Sequence, residues 1–156
     1  MPQEKLIQKL LKENKLKKQE AGLIQVEKLL TSAMHDLSEA SKIQKISEDA
    51  TYIMAYNAML KAGRALLLFK GYVPDDGAQH RTVVEVTASI LGQKYEKVTA
   101  HFEMMRKKRN MLTYEAGIFV SSTESNQAFE DAIGLVQGIF NEVKAKNPQL
   151  ELKFEI

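Results

Sequence analysis

The sequence predicts an all-α protein, an antiparallel up-down bundle of about five helices that ends in a short extended tail. Apolar residues recur every three or four positions over most of the chain, as they do on one face of a helix. Short connections join these runs, which favours antiparallel neighbours. The composition, 44% hydrophobic and 27% charged, is that of a globular chain long enough for one domain.

Composition also limits the possible functions. The chain has no cysteine, which excludes disulfides, thiolate metal sites and cysteine nucleophiles. Its three histidines are far apart in sequence, so we expect no metal site and no cofactor. The net charge is only +2, so anion binding requires a local cluster of cations. No apolar run approaches the ~20 residues that span a bilayer, and no signal peptide is recognisable. We therefore expect a cytoplasmic protein without a membrane partner.

The N-terminal segment, residues 1–20, is predicted to be a basic helical extension of a bundle that spans residues 21–147. Six lysines and three glutamates surround Leu6, Leu10 and Leu11 in this segment. Because its apolar face is narrow, we expect this short helix to dock loosely on the bundle or to be partly frayed.

The first two helices of the bundle have clear signals. The first covers roughly residues 21–45, with an apolar stripe at Val26, Leu29, Leu30, Ala33, Met34, Leu37 and Ala40. The second begins near Ser47, a good N-cap, and ends at Gly71, a plausible residue for the turn that terminates a helix. Its last two turns are apolar almost all round, so we expect it to be the central, most buried helix.

The rest of the bundle follows a strong turn signal at residues 71–79, which contain a Pro-Asp-Asp-Gly run. Residues 80–92 are rich in β-branched side chains, but their apolar spacing predicts a third helix. A fourth helix is predicted at about residues 93–113. A fifth begins after a cap at Ser121 and ends near residue 146, because a proline follows closely.

The C-terminal tail, residues 148–156, has the alternating pattern of a strand with one buried face. Leu150, Leu152, Phe154 and Ile156 alternate with polar residues. The sequence contains no other convincing strand, and a lone strand cannot satisfy its backbone hydrogen bonds. We therefore predict that the tail extends from the bundle and pairs with a neighbouring chain; a frayed tail is the alternative, because chain termini are often disordered.

The fourth helix carries a cation where its pattern requires an apolar residue. The stripe runs through Tyr95, Val98, Phe102, Met105 and Leu112, and its missing member is Arg109. Arg106, Lys107 and Lys108 precede this residue. A buried unpaired guanidinium costs several kcal/mol. Arg109 is therefore either an arginine near a helix end whose charge reaches solvent, or the centre of an anion site in which its planar fork clamps a phosphate.

Three further residues allow two interpretations each. Arg64 lies on an apolar helix, so it requires either a carboxylate partner or a phosphate. His80 follows the turn and is the one candidate for a replacement acid or base near the anion site. His101 lies beside the apolar stripe of the fourth helix, where a hydrogen-bonded structural histidine and a ligand are both possible.

Two runs resemble known proteins. The run "RNMLTY", residues 109–114, resembles the signature of the HEPN domain family, which is an arginine, a polar residue, three variable residues and a histidine. The run "YNAMLKAGRALLLFKGY", residues 56–72, is similar to a run in small stand-alone members of that family, and so is "GAQHR" at residues 77–81. The resemblance covers roughly residues 21–146.

The resemblance implies a helical bundle that forms a homodimer with the motif at or near the interface. It implies one of two roles. Active family members are metal-independent ribonucleases, often toxins silenced by a minimal nucleotidyltransferase. Other members are non-catalytic nucleotide-binding partners of nucleotidyltransferases of this kind. Arg109 and Asn110 match the first two motif positions, and Tyr114 stands where the family has histidine. The corresponding catalytic candidates are Arg109, Asn110 and Tyr114.

The tyrosine matters chemically because RNA cleavage through the 2′-hydroxyl needs an acid and a base that titrate near neutrality. Imidazole does so, whereas a phenol, with an ordinary pKa of about 10, is far less ionised at pH 7. We therefore predict a nucleotide- or RNA-binding protein, paired with a nucleotidyltransferase, that is not a strong nuclease. A weak endoribonuclease and a non-catalytic assembly module are the alternatives. The phosphate-binding candidates are Arg64, His80, Arg106, Lys107, Lys108 and Arg109.

Overall fold

A computed structural model describes residues 2–20, 22–75 and 79–156, and six α-helices account for most of these residues. The helices are α1 (Pro2–Lys12), α2 (Leu23–Ile43), α3 (Glu48–Phe69), α4 (Gln79–Leu91), α5 (Glu96–Tyr114) and α6 (Ser122–Lys146). A single 3-10 turn precedes α5 at Gln93–Tyr95. The predicted all-α bundle is confirmed, with α2 to α6 as its five helices and α1 as the N-terminal extension.

Side-chain caps fix two helix starts where the sequence predicted them. The hydroxyl of Ser47 accepts a hydrogen bond from the Ala50 amide at 3.2 Å, and the acidic first turn of α3 suits the helix dipole. At α6, Ser121 and Glu124 form a reciprocal capping box, with both hydrogen bonds at 3.0 Å. These bonds satisfy amide groups that the helix itself leaves free.

Helix α3 is the centre of the bundle, as predicted, and it packs against α2, α4, α5 and α6. Gly63 sets its distance from α4. A Cβ at this position would lie 2.7 Å from Cγ1 of Val83 and 2.8 Å from Oγ1 of Thr87. The missing side chain therefore lets α4 approach closely, and it places His80, in the first turn of α4, beside the middle of α3.

The N-terminal segment is docked more firmly than the sequence suggested. Ile7 and Leu10 of α1 are buried in the main core, so the expectation of a loose or frayed helix is wrong. After α1, strand β1 (Leu16–Lys18) pairs antiparallel with β2 (Tyr72–Pro74). The sequence predicted neither strand. With three residues each, the strands are too short to show an alternating pattern, and their pairing joins segments far apart in the chain.

The segment around the second strand is described only in part. The predicted turn at residues 71–79 includes Asp76 and Gly77, which lie outside the described residues. So do Gly77 and Ala78 of the "GAQHR" run. The β-branched segment that follows is helical, and Val83 and Val86 are buried on its inner face. Spacing was therefore a better guide than β-propensity in this segment.

The C-terminal tail lies along its own bundle. Leu150 is 2% exposed, and Leu152 and Phe154 pack partly buried against the core. The rings of Phe154 and Phe140 lie 6.0 Å apart, and the Lys144 ammonium donates to the Leu150 carbonyl. The prediction that the tail extends from the bundle is therefore wrong. The alternating pattern correctly marks one apolar face, which packs on this chain without forming a strand.

Within the described ranges, no helix combines the length and apolar character needed to cross a bilayer.

Candidate functional site

Three helices bring four of the predicted phosphate-binding residues together. Arg64 comes from α3, His80 from α4, and Arg106 and Arg109 from α5, and the charges of all three arginines act on the His80 ring. Beneath them lies Tyr56 of α3, which is completely buried. We call these five residues the arginine cluster.

Tyr56 fixes the orientation of the His80 ring. Its hydroxyl lies 3.0 Å from Nδ1 of His80, which is its one hydrogen-bond partner among the described residues. If Nδ1 carried the proton, the buried phenolic O–H would have no acceptor, which costs about 1–3 kcal/mol. The phenol therefore donates and Nδ1 accepts. In the neutral ring the proton then sits on Nε2, which becomes a hydrogen-bond donor.

The pKa values of this pair agree with that assignment. Burial raises the pKa of Tyr56 to about 12, against the opposing effect of the nearby arginines, so the phenol keeps its proton. Burial also lowers the pKa of His80, and the charges of Arg109, Arg64 and Arg106 lower it further. The neutral form of His80 therefore predominates at pH 7.

Arg106 is neutralised within its own helix. Its Nε and one terminal nitrogen donate to the two carboxylate oxygens of Glu103, at 3.0 and 2.6 Å. The hydrogen bond from Arg106 holds the pKa of Glu103 below its ordinary value, and the same bond raises the pKa of Arg106. This bidentate pair leaves Arg106 with little unbalanced charge for a ligand.

Arg64 and Arg109 are different. Both are half-buried, and within residues 2–20, 22–75 and 79–156 no carboxylate lies within 4.0 Å of either guanidinium. Arg64 instead donates to the side-chain oxygen of Gln79 at 3.4 Å. The structural ion pair that the sequence left open for Arg64 is thus not formed with any described carboxylate. The arginine cluster therefore combines a neutral imidazole donor with two guanidinium groups whose charges no described carboxylate neutralises.

The other predicted site residues on α5 lie outside this cluster. Lys108 reaches across to Glu124 of α6 at 3.2 Å, on another side of the helix. Lys107 is exposed, and Asn110 is half-buried. Tyr114, at the end of α5, is 81% exposed. The four consecutive cations therefore point in different directions and do not form one clamp.

The sequence did not identify two residues that contribute to the site, Tyr56 and Glu103. Tyr56 lay within the run that carries the family resemblance, but its contact with His80 depends on the packing of α4. Glu103 could have been predicted, because it lies three residues before Arg106 on the same helix and such pairs face each other.

We expect the protein to become less stable as the pH falls, because His80 takes up a proton more readily in the unfolded chain. Its folded pKa lies below the unfolded value of about 6.5. The unfolded chain therefore binds the proton more readily, and stability declines as the pH falls through about 6.5.

In urea unfolding between pH 7.5 and 5.5, as approximate limits, wild type should lose more stability than His80→Asn. Asn can still accept from Tyr56. Exposed His35→Asn is the control and should behave like wild type. An identical pH slope in wild type and His80→Asn would contradict the prediction.

The fold and the site define a helical-bundle protein with a cluster of cationic side chains contributed by three of its helices. The family model described as HEPN domain matches residues 26–146, which is more than half of the chain. The chain therefore belongs to the HEPN domain family. Membership agrees with nucleotide binding, RNA binding or a ribonuclease-like function. No curated protein matches the chain.

Proposed function

We propose that this HEPN protein binds the phosphate of a nucleotide or of RNA at the arginine cluster and does not cleave it efficiently. One observation carries the proposal: Arg64 and Arg109 lie near enough to His80 for their charges to lower its pKa, and neither has a carboxylate partner among the described residues. Half-buried cations without a counter-charge are costly, and a bound phosphate would relieve that cost.

Phosphate suits the chemistry of the site better than other anions. A guanidinium presents paired N–H donors that match two phosphate oxygens, and Arg64 and Arg109 offer two such groups from different helices. The Nε2–H of His80 would add a third, uncharged donor. A phosphate held in this way would be bound by charge and by directional hydrogen bonds, whereas a surface patch of lysines offers charge alone.

The same geometry argues against efficient cleavage. A general base for the 2′-hydroxyl needs a free nitrogen or oxygen lone pair that titrates near neutrality. Tyr56 occupies Nδ1 of His80, and Nε2 carries the proton in the neutral ring. Tyr114 replaces the family histidine with a phenol, and it is 81% exposed. Arg109 would therefore stabilise a bound phosphate without a base to start the reaction.

The proposal includes a homodimer and a minimal nucleotidyltransferase partner, as the family resemblance implies. Large apolar side chains are exposed near the C-terminal end of α5, where solvent contact is unfavourable. Met111 is 39% exposed, Tyr114 81% and Phe119 76%. Light scattering of the purified chain, alone and with a co-expressed nucleotidyltransferase, tests both associations. A monomer that forms no complex would contradict this part of the proposal.

The main experiment compares Arg109→Ala with Lys107→Ala, two cation losses on the same helix. Labelled single-stranded RNA is titrated at several salt concentrations in the presence of EDTA, and its integrity is checked on gels. Affinity should fall with salt. Arg109→Ala should weaken binding by roughly tenfold or more, as expected for lost hydrogen bonds to a charged group, and Lys107→Ala by much less.

Two results would contradict the proposal. Equal losses in both variants would indicate a diffuse basic surface in place of a defined site. Robust cleavage by wild type that disappears in Arg109→Ala would instead show that the protein is a metal-independent ribonuclease.

A further inference from the structure

A second candidate ligand site lies between α5 and α6, on the side of α5 away from the arginine cluster. It is a groove of about 250 Å³. The residues that line it and matter for the argument are Tyr52, His101, Met104, Met105, Gln127 and Asp131. His101 and Lys108 of α5 reach carboxylates of α6, whereas Arg106 and Arg109 face His80 of α4. The two sites therefore lie on different sides of one helix.

The walls of the groove suit a flat apolar body. Met104 and Met105 contribute polarisable thioethers, which contact aromatic rings favourably. Met104 is 64% exposed, so its side chain has apolar surface still to be covered. Tyr52 forms the inner wall and is only 5% exposed. The volume is at the small end for ligand sites, which favours a single small ring system.

The polar atoms of the groove are arranged around Asp131. One of its oxygens lies 2.8 Å from Nδ1 of His101, and the other accepts from the Gln127 amide at 3.0 Å. When the neutral His101 ring donates its Nδ1–H to Asp131, Nε2 is left as an acceptor. The amide oxygen of Gln127 is a second acceptor. Both atoms can receive N–H groups from a ligand.

Tyr52 supplies an unused donor. In the described part of the chain its hydroxyl has no hydrogen-bond partner, although only 5% of the residue is exposed. Tyr52 lines the groove together with Glu124 and Asp131. Burial, together with the charges of Glu124 and Asp131, raises the pKa of Tyr52 to about 12. The phenol thus keeps its proton, and the carboxylates of Glu124 and Asp131 line the same groove.

We propose that this groove binds a planar nitrogen heterocycle that is neutral or cationic. The ring lies against the methionine side chains, its N–H groups donate to His101 and Gln127, and a ring nitrogen accepts from Tyr52. The carboxylates of Glu124 and Asp131 disfavour an anion of the same shape. This site is independent of the phosphate site, which selects for the opposite charge.

Adenine and urate test the proposal, because they are planar purines of similar shape and urate is an anion at neutral pH. Binding is measured by isothermal titration calorimetry at pH 7.5 with the full chain. Adenine should bind saturably, and urate at least roughly tenfold more weakly. Tyr52→Phe keeps the ring and removes the hydroxyl, and it should weaken adenine binding by roughly fivefold or more. Tyr114→Phe, the control at an exposed tyrosine, should have no effect.

Arg109→Ala separates the two sites. It should leave adenine binding unchanged even where it abolishes RNA binding, so either site can fail without the other. Circular dichroism checks that each variant is folded. The proposal is overturned if adenine does not saturate, if urate binds as tightly as adenine, or if Tyr52→Phe binds adenine as wild type does.

Discussion

Removal of the tail after Asn147 is expected to destabilise the whole bundle by several kcal/mol. The truncation uncovers the surface that Leu150, Leu152 and Phe154 now shield, including the face of Phe140. Loss of one fully buried leucine side chain alone costs about 2–5 kcal/mol. Urea unfolding followed by circular dichroism measures the change. A truncated chain as stable as wild type would show that the tail does not contribute to the core.

Single substitutions in the tail give the matched comparison. Leu150→Ala should cost about 2–5 kcal/mol, because the side chain is 2% exposed. Ile156→Ala, at the same alternating phase of the tail, should change stability by less than about 0.5 kcal/mol, because that side chain is 48% exposed. Similar losses from both would contradict the packing described above.

Gly63→Val is expected to destabilise the protein by about 3 kcal/mol and to disturb the arginine cluster. The first added carbon would already lie 2.7 Å from Val83 and 2.8 Å from Thr87, two stiff β-branched side chains of α4. Helix α4 would have to move away from α3. His80 would then separate from Tyr56, so RNA affinity should fall together with stability.

Gly134→Val is the control for this substitution. Gly134 is also inside a helix, but a Cβ there meets nothing within 4 Å. Valine has a slightly better helix propensity than glycine, so stability should stay within about 0.5 kcal/mol of wild type. Equal destabilisation by both substitutions would mean that the close α3–α4 contact is not the cause of the effect at Gly63.

Much of the candidate site could be predicted from the sequence. A cation that interrupts an apolar stripe identified Arg109, because a guanidinium on a core-facing position requires a partner. The same reasoning identified Arg64 on the most apolar helix. His80 was the one histidine proposed for the anion site, because it follows the turn before the third predicted helix. These arguments need only helical periodicity and the cost of burying a charge.

The sequence was less informative about which cations act together. Arg106, Lys107, Lys108 and Arg109 are consecutive, yet Arg106 pairs with Glu103 and Lys108 with Glu124. Successive residues of a helix point about 100° apart, so a run of charges in sequence is not a patch in space. The partners of each cation depend on which helix packs on each side of α5.

The sequence by itself determined the helices, the caps of α3 and α6, the central position of α3 and the family, because these depend on local periodicity, capping chemistry and motif residues. Only the tertiary structure decided three other features. It docks α1 and the tail on the core, pairs β1 with β2, and brings Tyr56 under His80 beside Arg64 and Arg109. The physical reason is that each feature depends on contacts between segments far apart in the chain. An apolar face in the sequence shows that something must cover it, but it does not specify what.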